Sequence, residues 1–166
     1  MKAPRTDGAP PLGTALTPES RRVAGILFVA LPTVIYGGVT ILRLLIGDPA
    51  YMENPLRQDL WRAGHAHAGV LLILSLVALL YVDGAALPGG MKRAVRSLIP
   101  ASAILLPAAF FFSVLSPEAT EPNAMIHLAW VGAIILATGL LILGIGLLRR
   151  QPESSGRVRP SAKGKP

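Results

Sequence analysis

The 166-residue chain contains no cysteine. This excludes disulfides, thiolate metal sites, covalent haem attachment through a CxxCH motif and cysteine nucleophiles, so any metal would need His, Met, carboxylate or backbone ligands. Charge is also scarce, at 15% of residues, and acidic charge scarcer still, with nine Asp and Glu against 16 Lys and Arg. There is no Ser-His-Asp set, no Walker phosphate loop and no HExxH zinc motif. Gly144-Ile145-Gly146 is not a nucleotide fingerprint, because no strand precedes it and it lies inside an apolar run.

What the sequence has in quantity is apolar surface. Hydrophobic residues make up 52% of the chain and the mean hydropathy is +0.54, too apolar for a soluble domain of this length. The formal charge of +7 and pI of about 10.6 do not point to nucleic acid. Binding of that kind needs basic residues on one folded face or interleaved with aromatics, and here they sit in tails and one short loop.

A membrane-crossing helix needs about 20 mainly apolar residues to cover a hydrocarbon core of about 30 Å. Four stretches qualify, at residues 23–46, 61–82, 94–115 and 124–148, punctuated by Gly47-Asp48-Pro49, Leu87-Pro88-Gly89-Gly90 and Ser116-Pro117. The expectation is an all-α integral membrane four-helix bundle at residues 21–150. Disordered tails are expected at 1–20 and 151–166, where Pro, Gly, Ser, Thr and basic residues replace any hydrophobic stripe. The first span is too long for a signal-peptide core and is read as a retained anchor.

Cytoplasmic flanks of membrane helices retain Lys and Arg. Lys2, Arg5, Arg21 and Arg22 precede the first span, Lys92, Arg93 and Arg96 join the second to the third, and Arg149, Arg150, Arg157, Arg159, Lys163 and Lys165 follow the last. Thirteen of the 16 basic residues thus share one side, which predicts a multi-pass plasma-membrane protein with both termini cytoplasmic. Trp61, Tyr51 and Trp130 then fall toward the outer boundary and Tyr81 toward the inner one, as in an interfacial aromatic belt.

With this topology the second and fourth spans both begin outside, and both carry histidine early: His65 and His67 in one, His127 in the other. Ionisable groups in a span are costly and commonly face a bundle interior or a cavity, which makes them candidates for function. His65 and His67 project about 200° apart on a helix, so they do not readily chelate one metal together. One can face the bundle and His127 while the other faces a partner or a second cofactor. Gly64, Ala66, Ala68 and Gly69 would let a flat macrocycle, or simply another helix, approach closely. Arg43 and Arg62 lie at a similar depth and match carboxylates such as haem propionates, or alternatively snorkel to water or pair with Asp48. The structural alternative for the histidines is a hydrogen-bonding role at the membrane interface. Phe110, Phe111 and Phe112 read as lipid-facing or interfacial bulk, and Pro32, Pro100 and Pro107 as sites of helix kinking.

The run Trp61-Arg62-Ala63-Gly64-His65-Ala66-His67-Ala68-Gly69-Val70-Leu71 resembles histidine-bearing helices of the haem-copper oxidase subunit I superfamily. It is also similar to small four-helix H-x-H membrane proteins of unknown function. The likeness covers one helix. It implies haem binding, with His65 or His67 opposite His127. The chain has far fewer spans than that superfamily, no set of three copper-ligating histidines and no Tyr beside a ligand His, so oxygen reduction by this chain alone is not expected. The leading expectation is therefore a membrane protein that is not an enzyme on its own. It would bind haem, or alternatively copper or zinc, through His65, His67, His127, Arg43 and Arg62, serving electron transfer, sensing or cofactor handling. Besides the lipid bilayer, its expected partners are another membrane protein or further copies of itself. The alternatives are a non-enzymatic subunit or assembly factor of a larger complex, and a small proton-linked or metal-ion transporter.

Overall fold

The computed structural model describes residues 16–149. Of the disordered tail expected at 1–20, Pro18–Ser20 are instead helical, with Ser20 buried; residues 1–15 and 150–166 of the expected tails lie outside the described residues. Between them run helices α1 (Pro18–Gly47), α2 (Pro49–Met52), α3 (Pro55–Val82), α4 (Gly89–Ser113) and α5 (Leu128–Leu148), the last entered through a 3-10 turn, Ala124–His127. The chain is a helical membrane protein: four of its helices are long and apolar enough to cross a bilayer.

The first three spans start earlier than the hydropathy pattern predicts, and at the first and second the reason is local. Three times a capping side chain is followed by proline at the first helical position, where proline's missing N–H costs nothing. The Thr17 hydroxyl accepts from Ser20 N (3.3 Å) ahead of Pro18. The Asp48 carboxylate accepts from Tyr51 N (3.2 Å) ahead of Pro49. The Asn54 carbonyl accepts from Arg57 N (3.0 Å) ahead of Pro55. Polar first turns are thereby held in helices whose apolar stretches begin later.

The helices pack in chain order, α1 on α3, α3 on α4 and α4 on α5, with α1 and α5 out of contact. The arrangement follows from where small residues fall. On α5, Gly132, Gly139 and Gly146 recur every seven residues and all are buried. A Cβ on Gly132 would stand 2.9 Å from Leu106 Cγ, and one on Gly139 2.8 Å from Ile99 Cγ1. Helices in lipid gain little from hydrophobicity and rely on close contact, which a glycine seam allows. Gly25 and Gly144, by contrast, meet nothing. The core holds Leu72, Leu79, Val82, Val95 and Ile99. Helix α1 is held most lightly: Ser20, Leu27 and Ile41 are its buried residues, while Val29, Tyr36 and Ile46 are exposed, as suits a helix facing lipid.

The aromatic belt is only partly as expected. Trp130 and Tyr81 face outward, but Tyr51 is fully buried and packs with Trp61, ring centres 5.8 Å apart. Of the three phenylalanines, Phe112 is exposed, whereas Phe111 packs on Trp61 and Phe110 on His67. Gly64 explains the inward turn, because a Cβ there would meet the Phe111 ring at 3.0 Å.

Candidate functional site

The end of the bundle formed by the α1 C-terminus, α2, the α3 N-terminus and the α4–α5 connection carries all three histidines. Asn54 ties this end together: besides capping α3, its side-chain amide donates to Pro117 O (2.8 Å) and Ala119 O (3.0 Å). Asn123 caps the 3-10 turn through Met125 N (2.8 Å) and donates to Phe112 O (3.0 Å).

The helical spacing of His65 and His67 sends their rings to different neighbours. His65 is half-buried against α1, in the notch left by Gly37 and Gly38. A Cβ on Gly38 would stand 2.9 Å from its Nε2 and 3.0 Å from Cε1, and one on Gly37 3.8 Å from Nδ1. That edge of the ring has no room for a metal with further ligands, so His65 fits a packing role. His67 is exposed, its ring centre 5.1 Å from that of Phe110, and its Nδ1 lies 2.7 Å from Ala63 O. A carbonyl only accepts, so the contact is a hydrogen bond when Nδ1 carries the proton, and in the neutral ring that tautomer leaves the lone pair on Nε2. A backbone-anchored Nδ1–H with a free Nε2 is the orientation of many metal-ligating histidines.

His127 closes the 3-10 turn and is exposed. That turn packs on α4 and α5 and makes no direct contact with α3, so His127 stands on an element that is not an immediate neighbour of the one carrying His65 and His67. Among the described residues no three His, Asp or Glu side chains gather closely enough to hold a metal. Arg43 is exposed near the C-terminal end of α1. Arg62 bonds Asp59 (2.9 Å) with both side chains more than half exposed, so neither arginine lies in a pocket with a histidine.

Two groups escaped the sequence reading. One is Arg57, nine-tenths buried at 9% exposure, its guanidinium carbon 4.4 Å from the Trp61 ring centre. The other is a polar knot at the opposite end of the bundle. There Asp83, just past α3, pairs with Arg96 of α4, their side chains 10% and 12% exposed. Asp83 also accepts from Thr17 N (3.0 Å) and Thr17 Oγ1 (3.2 Å), Arg96 Nε donates to Ser20 Oγ (2.9 Å), and Lys92 Nζ to Asp83 O (2.6 Å). Burial alone would raise the Asp83 carboxyl pKa, but hydrogen bonds from Thr17, Arg96 and Ser20 outweigh it and hold the carboxyl below its usual range. The knot binds the start of α1 to α3 and α4 beside the core residues Val82 and Val95. The signal available in the sequence was an acid directly after one span and an arginine just inside the next.

Compared with models of protein families, with curated proteins and with solved structures, the chain matches none.

Proposed function

We propose that this protein is a membrane subunit that presents His67 as an axial ligand to haem, serving electron transfer or cofactor handling together with a second copy or another membrane protein. The observation that carries the reading is the 2.7 Å contact between His67 Nδ1 and Ala63 O, which leaves Nε2 as an exposed lone pair beside an aromatic wall. Haem is favoured over copper or zinc by ligand number. A porphyrin fills four positions on its iron, so one imidazole suffices to attach it, whereas zinc or copper needs three or four protein donors, more than gather at this site. The sixth iron position, like the rest of the pocket, would come from the partner. In this reading the basic end of the bundle is cytoplasmic and His67 sits in the outer leaflet.

The test is a visible spectrum of the full chain purified in mild detergent after haem-replete expression. A Soret band is expected that His67→Ala abolishes and His127→Ala leaves in place. Absence of the band, or its survival in His67→Ala, refutes the haem assignment. Orientation is tested separately, because the chain lacks cysteine: a membrane-impermeant maleimide on intact cells should label Glu118→Cys and spare Arg93→Cys. The reverse pattern refutes the orientation.

A further inference from the structure

Arg57, in the first turn of α3, is a buried guanidinium without a counter-ion. Its Nε is fully enclosed and bonded to nothing, as are Tyr51 Oη and Trp61 Nε1. The three side chains form one stack, with the guanidinium carbon 4.4 Å from the Trp61 ring centre and 5.9 Å from that of Tyr51. Among the described residues no carboxylate pairs with Arg57. Glu118 feels its charge but bonds Ser116 Oγ (2.7 Å) instead. A buried cation is costly unless paired, and aromatic faces offset only part of that cost. The charge has no acceptor, and the Nη edge of the guanidinium is the part of it not enclosed.

The depth of the stack suggests the acceptor's chemistry. The 28 residues of α3 extend about 42 Å, about 12 Å more than a hydrocarbon core of about 30 Å. Asp83, bonded into the polar knot at the far end, marks the opposite boundary. The excess therefore falls at the α3 N-terminus and sets Arg57 and Trp61 in the headgroup layer, where phosphate is the abundant anion.

We propose that Tyr51, Arg57 and Trp61 form a receptor for a phosphate oxyanion at the membrane surface. The guanidinium fork matches two phosphate oxygens. The aromatic faces hold it in place beforehand, so little side-chain entropy is lost on binding. Tyr51 and Trp61 are the walls of the receptor, their own polar atoms enclosed behind the guanidinium. The phosphate can belong to a phospholipid headgroup or be free in solution. The proposal does not depend on haem binding at His67.

The test uses the full chain carrying Trp130→Phe, in phosphate-free maltoside micelles, so that fluorescence reports Trp61 alone. Inorganic phosphate and a short-chain phosphatidylcholine are titrated separately. A saturable change in Trp61 emission is expected, with Arg57→Gln weakening the response by about tenfold or more. Arg57→Lys should fall between, because lysine keeps the charge without the fork. A response to phosphatidylcholine alone assigns the site to lipid, a response to inorganic phosphate alone assigns it to the free anion, and a response to both assigns it to phosphate in general. No response to either, or an undiminished one in Arg57→Gln with native helical circular dichroism, overturns the proposal. Should Arg57→Gln fail to fold, Arg57→Lys serves instead, since it keeps a cation in the stack without the fork; several-fold weaker binding supports the site and unchanged affinity overturns it.

Discussion

Replacing Asp83 by Asn tests whether the polar knot holds α1 to the rest of the bundle. The substitution keeps the shape of the side chain and removes its charge, leaving Arg96 opposite a neutral amide in a site where both side chains are about nine-tenths covered. Removing one member of a buried pair costs about 3–5 kcal/mol. The knot lies at the end of the bundle, where Arg96 keeps hydrogen bonds to Ser20 Oγ and Thr17 Oγ1, so the lower part of that range, about 3 kcal/mol, is expected. The assay is unfolding by added SDS in mixed micelles, followed by the helical circular dichroism signal. A double-mutant cycle with Arg96→Met should give a coupling of about 2 kcal/mol. The pH dependence has a definite sign. The folded carboxyl lies below its usual value, so the unfolded chain binds the proton more tightly. The stabilisation is complete above about pH 5 and is lost as the pH falls through the unfolded pKa, about 3.9, toward the lower folded one. Asp83→Asn should lack that part of the acid sensitivity. If Asp83→Asn unfolds within 1 kcal/mol of the wild type, and the two share their acid limb, the knot is a surface ion pair and the reasoning fails.

Gly139→Val should force α4 and α5 apart, since a Cβ already stands 2.8 Å from Ile99 Cγ1 and 3.3 Å from Leu98 Cβ; a loss of about 1–3 kcal/mol is expected in the same assay. Gly25→Ala, with open space around it, is the control and should be neutral or stabilising by up to about 1 kcal/mol. Asn54→Ala removes a cap and both bonds to the α4–α5 connection. It should cost about 2 kcal/mol and speed amide exchange at Arg57, and unchanged exchange there would show that the cap is not what holds this end.

Existence and type of the spans were legible because every crossing helix must hide its backbone from lipid behind about 20 apolar residues. Their starts were misread by five or six residues at α1, α3 and α4. Hydropathy sees only the apolar stretch, whereas Thr17-Pro18 and Asn54-Pro55 begin the helix in polar sequence ahead of it. Those cap-and-proline pairs stand in the sequence and mark starts that hydropathy misses.

The histidine spacing was also legible: residues two apart on a helix must diverge, and His65 and His67 do. Their surroundings were not. Hydropathy gives each helix a depth but no neighbour, so equal depth suggested that His127 faced the pair. Only tertiary packing decided that the turn carrying His127 lies against α4 and α5 and not directly against α3, beside a glycine seam on α5 that fits Leu106 and Ile99. The same packing seated His65 in the Gly37-Gly38 notch, freed Nε2 of His67 and closed Tyr51 and Trp61 around Arg57. Apolar patterning decides that a helix enters the membrane, because that depends on transfer free energy residue by residue. Which helices touch depends on the fit of surfaces from distant parts of the chain, and that fit arises only when they pack.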